Sequence, residues 1–224
     1  MDSTLETLRE AVSRGKASLD SPYPPEMAGR KGAVELTAEL LEAGVGAQTI
    51  LEQALIPAMR EVGARFQKGE CFVPEMLVAA NAMKKAMEQL KDELAQAAVE
   101  PRGTFILGTV KGDQHDIGKN LVAMMLEGAG WRVIDLGVDV PPERFADTLG
   151  EHPGAAVGLS ALLTTTMPMM EQTVALLRER FPEVVTLVGG APVNEAFAEQ
   201  IGASGTADNP QGAVELLERL MPTG

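Results

Sequence analysis

A single histidine stands where this chain would be expected to do chemistry. The stretch Gly108-Thr-Val-Lys-Gly-Asp-Gln-His-Asp-Ile-Gly-Lys-Asn120 follows an apolar, strand-like run over 104–107 and leads into an amphipathic segment over 117–126. His115 is therefore set in a strand-to-helix loop, between Asp113 and Asp116, with Gly112 and Gly118 beyond them. Such a loop lies at the carboxyl end of a parallel strand, where open α/β sheets bind their ligands. A histidine with a carboxylate two residues earlier has the make-up of a metal ligand whose other ring nitrogen is held by that carboxylate. The chain has only two histidines, so the placement of this one carries weight. A phosphate-binding turn is the competing reading, and it fails twice. Five residues rather than four separate Gly112 from Gly118, and Asn120 stands where a magnesium-binding Ser or Thr belongs.

The elements that position this loop follow from hydropathic period. Strands are expected over 104–110, 132–136, 155–159 and 184–188, with a short fifth near 205–207. Helical periods fall between and after them, over 117–128, 142–149, 167–181, 194–200 and 211–220. Strands alternating with helices call for a doubly wound, five-stranded parallel sheet with helices on both faces. Such a sheet aligns its strand-to-helix loops on one edge. The loop after the third strand brings Ser160, Leu162, Thr164, Thr165 and Thr166 to that edge, and the loop after the fourth brings Gly189 and Gly190.

Everything before this alternation reads as helix. Leu5, Leu8 and Val12 share a face, and amphipathic periods run over 34–43 and 48–59. The longest helix is expected to begin at Pro74, a favourable first-turn residue, and carries the stripe Met76, Ala80, Met83, Met87, Leu90 and Leu94. The proline-rich run from Ser21 to Glu26 reads as an exposed loop. The expected organisation is thus an N-terminal helical bundle over 1–98 and an α/β domain over 99–224, with the boundary near Ala98.

Composition removes several function classes. A net charge of -13 opposes sequence-independent binding to nucleic acid or anionic lipid. No apolar run reaches membrane-spanning length, and the charged, periodic start is unlike a signal peptide. Cys71 is the only cysteine, so no intrachain disulfide can form and a cytoplasmic location is expected. Cys71 itself reads as a small apolar filler, and His152 as an exposed loop residue.

Asp113-x-His115-x-x-Gly118, Ser160-x-Leu162 and Gly189-Gly190, in that order, resemble the signature of cobalamin-binding domains. More narrowly, the chain resembles the small corrinoid proteins of methyltransferase systems that serve methylamines and methanol, and it is similar to the cobalamin module of methionine synthase. Gly69-Glu-Cys-Phe-Val-Pro-Glu75 and Ala82-Met-Lys-Lys-Ala-Met87 extend the likeness into the helical part, which looks like that family's cap.

The resemblance implies a Rossmann-like, flavodoxin-like fold holding cobalamin, as methylcobalamin or another corrinoid, with its lower base displaced and His115 on the cobalt. Asp113 would hold the other ring nitrogen, and Thr166 would continue the relay. Ser160 and Thr164 would face the displaced nucleotide tail. Gly118, Gly189 and Gly190 would make room for it, and Gly112, Asp116, Ile117 and Leu162 would complete the cofactor-binding set. Phe72, Met76 and Met83 would shield the upper face. The implied role is a methyl carrier, with a methyl-donor-specific methyltransferase, an acceptor methyltransferase and a reductive activase as partners, and no nucleic acid or membrane. A cobalamin-dependent sensor, a storage or delivery protein and a mutase small subunit are the alternatives. The chain departs from the family at Ser204, Thr206 and Asn209, where an aspartate, a tyrosine and an aspartate are usual, and in an insertion over 21–30.

Overall fold

A computed structural model describes residues 2–96 and 100–222. The chain divides into two units, one up to Glu100 and one from Pro101 onward. The boundary expected near Ala98 lies outside the described residues.

The first unit is helical throughout: α1 (Asp2–Ser13), α2 (Ala33–Glu42), α3 (Ala47–Ile50), α4 (Ile56–Gln67) and α5 (Val73–Gln96). The shared face of α1 is buried as its spacing demands, with Leu5, Leu8 and Val12 all inside. Each such side chain contributes about 1.5–3 kcal/mol on burial. The segment expected as one helix over 48–59 differs from that reading. A π-helical turn, Leu51–Leu55, joins α3 to α4, and the Ile56 N–H reaches back to the Leu51 carbonyl. Pro57 gives the reason: it has no N–H to donate and its ring crowds the carbonyl four residues back, so the turn before it widens. The loop between α1 and α2 holds a single 3-10 turn, Pro25–Met27, and is mostly exposed, although Pro24 and Met27 turn inward. Cys71 is buried, with its thiol on the Val62 carbonyl at 3.6 Å. Burial pushes that thiol's pKa up, as suits a packing residue.

The second unit alternates strictly: β1 (Thr104–Thr109), α6 (Ile117–Gly128), β2 (Arg132–Asp135), α7 (Pro142–Glu151), β3 (Ala156–Ser160), α8 (Met167–Arg180), β4 (Thr186–Gly189), α9 (Glu195–Gln200), β5 (Gly205–Thr206) and α10 (Pro210–Leu220). All pairings are parallel and the strand order is β2-β1-β3-β4-β5. The expected doubly wound sheet is present. Its third and fourth strands end one residue later than their hydropathy suggested, because Ser160 and Gly189 continue the ladder as a registered pair.

Alternation along the strands sends side chains to two different destinations. Ile106, Val157 and Val188 join Phe145, Leu149, Met170, Val174 and Leu177 in a close-packed core under α7 and α8. Residues of the opposite phase face α6 and α10. Two helices of this unit begin on asparagine caps: Asn194 Oδ1 accepts from the Phe197 N–H and Asn209 Oδ1 from the Gly212 N–H, both at 2.9 Å. His152 ends α7 and is half-buried rather than exposed, since its backbone N–H closes the last turn onto Thr148 and Leu149. No helix among the described residues is long and apolar enough to cross a membrane.

Candidate functional site

The strand order reverses direction between β1 and β3. Loops leaving their carboxyl ends must diverge there, to opposite sides of the sheet, and open a crevice. Register makes that edge level: Thr109 of β1 pairs with Ser160 of β3, which pairs with Gly189 of β4. The three loops singled out in the sequence therefore emerge side by side.

Asp113 is the hub of the first two loops. It is 0% exposed. Its Oδ1 lies 2.7 Å from His115 Nδ1 and accepts the His115 backbone N–H at 3.1 Å. Its Oδ2 accepts the Leu162 and Leu163 N–H groups at 2.8 and 3.2 Å, and the Thr166 hydroxyl at 2.8 Å. Burial works to raise this carboxyl's pKa. The hydrogen bonds from the His115 ring and amide, the Leu162 amide and the Thr166 hydroxyl outweigh it and hold the group well below the usual carboxylate range. An ionised Asp113 can only accept, so the proton between it and His115 belongs to Nδ1. Nε2 is then the nitrogen left with a lone pair, and the His115 side chain is 52% exposed.

Around the imidazole the surface is aliphatic. Ile117 is 73% exposed, and Leu162 and Leu163 are 42% each. Large apolar side chains left uncovered together mark a binding face. Among the described residues no group of three or more His, Cys, Asp or Glu side chains could hold a metal. A metal taken by His115 must bring its remaining ligands with it, as a metal inside a flat macrocycle does.

Behind this face a slot of about 380 Å³ runs between the sheet and helices α6 and α10. Its floor is the strand phase that avoids the α7–α8 core: Leu107, Gly158, Ser160, Leu187 and Gly189. Leu121 and Val122 of α6 and Ala213 of α10 form the opposite wall. Two glycines in the lining have no role in the chain's own packing. A Cβ built at Gly118 or Gly189 meets nothing within 4 Å. Neither residue has the positive φ that would demand glycine, so what their missing side chains provide is room. Gly190 is different: at φ +127° its Cβ would fall 1.8 Å from the Ala161 carbonyl oxygen, and no larger residue fits. An imidazole with an open Nε2, an uncovered apolar face and an adjoining slot cleared of side chains fit the parts of a cobalamin.

Of the residues read from the sequence, His115, Thr166 and Leu162 converge on Asp113, Ile117 stands exposed at the start of α6, and Gly118, Ser160, Gly189 and Gly190 line the slot. Gly112 and Asp116 stay on the loop exterior. The Gly112 N–H is bound by Asp139 at 2.7 Å, and Asp116 is tied to the Asn120 side chain at 3.0 Å. Thr164 is exposed and is not part of the slot wall. Phe72, Met76 and Met83 belong to the first unit. Phe72 is 64% exposed, whereas Met76 and Met83 are buried at 2% and 4%. The two methionines thus behave as the packed stripe of α5. Ser204 has a structural duty, its hydroxyl accepting from the Thr186 N–H at 2.9 Å, and Asn209 reaches the slot mouth while capping α10.

Sequence reasoning missed Leu163, Asp139 and Lys119. The Lys119 side chain is 2% exposed in the slot wall, with its ammonium 2.6 Å from Asp135 Oδ2 and 2.7 Å from Asn120 Oδ1. A lysine in an amphipathic segment reads as surface, so nothing local signalled it.

The B12 binding domain family matches residues 103–215, and a second B12 binding domain family matches residues 29–91. The chain is 38% identical over 195 residues to dimethylamine corrinoid protein 1 of Methanosarcina acetivorans, spanning 86% of this chain and 92% of that one. Among solved structures, it resembles the methanol:cobalamin methyltransferase complex of Methanosarcina barkeri with a TM-score of 0.84 at 26% identity, over 100% of this chain and 81% of that one. It also resembles a cobalamin-binding protein of Desulfitobacterium hafniense with a TM-score of 0.73 at 31% identity, over 96% and 98% of the two chains. With that likeness running over both halves of the chain, this protein belongs to the B12-binding corrinoid proteins of methyltransferase systems.

Proposed function

We propose that this protein is a methyl carrier that holds its corrinoid with the lower base displaced and His115 in its place. The observation that supports this most directly is the pairing of the Asp113-bound imidazole with an empty-walled slot on the same sheet edge. The relatives named for dimethylamine and methanol systems point to the same role.

A bound corrinoid supplies a metal centre able to accept and release a methyl group. The chain's own residues do the rest. Asp113 keeps the proton on His115 Nδ1 and makes Nε2 the more basic donor. Thr166 and the Leu162 and Leu163 amides hold Asp113 in its charged form, so the pair keeps one orientation. Nε2, the ring nitrogen left without the proton, is the atom that would hold the metal. The slot, with Gly118, Ser160, Gly189 and Gly190 in its lining, receives the nucleotide tail. In the helical unit, Phe72 is the most exposed of the described large apolar side chains and is the residue proposed to shield the corrinoid.

The methyl group would arrive from a donor-specific methyltransferase and leave to an acceptor methyltransferase, a reading supported by relatives named for methyltransferase systems. A reductive activase would be the third partner. The acidic surface, at net charge -13, favours partners with basic docking faces. The location is cytoplasmic.

An absorption titration of wild type and His115→Ala with hydroxocobalamin, followed by paramagnetic resonance of the cobalt(II) form, tests this. Wild type is expected to show nitrogen coupling from the protein histidine, and His115→Ala is expected to lose it. Binding that is absent in wild type, or coupling that survives the substitution, would sink the reading.

A further inference from the structure

The loop that carries His115 is held from a neighbouring loop by a residue that touches neither the imidazole nor the slot. Asp139 lies between β2 and α7 and is the one non-glycine residue with positive φ among the described residues, at +55°. It grips two consecutive residues of the histidine loop. Its Oδ1 accepts the Gly112 N–H at 2.7 Å, and its own N–H donates to the Asp113 carbonyl at 3.0 Å. Gly112 itself sits at φ +86°. A second tether comes from β1, where the buried Thr109 hydroxyl donates to the His115 carbonyl at 2.9 Å. Next to Asp139, Val140 bridges to Val110 and donates its N–H to the Thr109 carbonyl at 3.0 Å, which fixes the donor loop against the same strand.

This arrangement has a cost that folding alone does not explain. A left-handed backbone is unfavourable for a residue with a Cβ, and aspartate tolerates it better than most because its short polar side chain finds local partners. Glycine would take the same backbone conformation without strain. What glycine cannot do is accept the Gly112 N–H. Residues kept in such conformations tend to cluster where geometry is functional.

We infer that Asp139 is the positioning residue of the axial-ligand loop: by clamping Gly112 and Asp113 it fixes where the Asp113 carboxylate, and through it the His115 ring, is presented to the metal. The inference rests on the proposed His115 ligation. Asp139 is exposed, so its substitution does not disturb the core.

Three variants separate the contributions. Asp139→Gly keeps the backbone conformation and removes the acceptor. Asp139→Asn keeps an acceptor oxygen and tolerates the conformation. His115→Ala is the control for ligation. In Asp139→Gly, hydroxocobalamin binding is expected to weaken about tenfold. Part of the bound cobalt(II) should lose its histidine nitrogen coupling, and the Gly112 amide of the ligand-free protein should exchange faster with deuterium. The thermal midpoint of that ligand-free protein should stay near wild type. Asp139→Asn should restore both affinity and coupling. Wild-type affinity and full coupling in Asp139→Gly would overturn the inference. So would losses that track a fall in thermal midpoint and are not restored by asparagine. If His115→Ala also keeps full coupling, the ligation reading fails instead. Gly112 exchange, which needs no corrinoid, then decides whether Asp139 holds the loop at all.

Discussion

The two halves of the site are built by opposite means. The His115 loop is made of contacts: one buried carboxylate gathers an imidazole, three amides and a hydroxyl, and nothing in it is free to move alone. The slot is made of absences: glycines at 118 and 189 and a serine at 160 help leave about 380 Å³ between a sheet and two helices. The first fixes a direction for one atom, Nε2. The second fixes only a shape. A ligand that needs both must have a single point of coordination and a bulky appendage. The difference also separates the energetic signs. Damage to the buried Asp113 hub should weaken protein and ligand binding together, whereas filling the slot should harm binding and leave the protein as stable or more so.

Gly189→Leu tests that separation most severely. Its side chain would enter open space, so the ligand-free protein should keep its thermal midpoint. Cobalamin binding should fall about 100-fold, as overpacking of a fitted site costs roughly 1–3 kcal/mol. Cobinamide, which lacks the nucleotide tail, should bind both proteins alike in a parallel titration. Equal losses for the two ligands would mean that the slot does not receive the tail.

Asp113→Asn should act on both quantities. Corrinoid affinity is expected to fall about tenfold through the unpaired imidazole, and the chain should lose about 1–3 kcal/mol in denaturant unfolding because buried donors lose a charged acceptor. The pH dependence carries a definite sign. The folded pKa of Asp113 is depressed, so its contribution is fully present above the unfolded value of about 4 and is lost as pH falls through the folded value. Wild type should therefore lose its advantage over Asp113→Asn below about pH 4, with the two stability curves converging in acid. Parallel curves would mean that the carboxylate is not selectively stabilised.

The smallest effect and the cleanest contrast should come from Gly118→Ala. Alanine in the first turn of α6 replaces a poor helix former and is expected to stabilise the ligand-free protein by up to about 1 kcal/mol. The same methyl should weaken corrinoid binding a few-fold, because it projects where the chain itself has nothing. Changes of the same sign in both measurements would remove the distinction between contact and absence.

Much of this was legible from local pattern. The alternation of β-branched and helical periods after Gly103 gave the parallel sheet, and a parallel sheet brings its strand-to-helix loops to one edge without further information. His115, Asp113, Thr166 and Leu162 were readable because each lies on such a loop. Thr164 was readable in the same way but points elsewhere, since a loop of consecutive hydroxyls does not reveal which one turns inward. Met76 and Met83 show the limit on the helical side. Their heptad spacing specifies burial and cannot say against what.

The sequence by itself determined the order of elements and the edge on which the candidate site gathers, because these depend on residue type and on periods of two and 3.6. Tertiary structure alone decided three other things. It placed Asp139, on a different loop, against Gly112 and Asp113. It buried the Lys119 ammonium beside Asp135. It chose Gly118 and Gly189, out of 23 glycines, as the ones whose missing side chains open a slot. Each of these is a relation between segments distant in the chain, fixed only when the strands come into register and the helices pack across them.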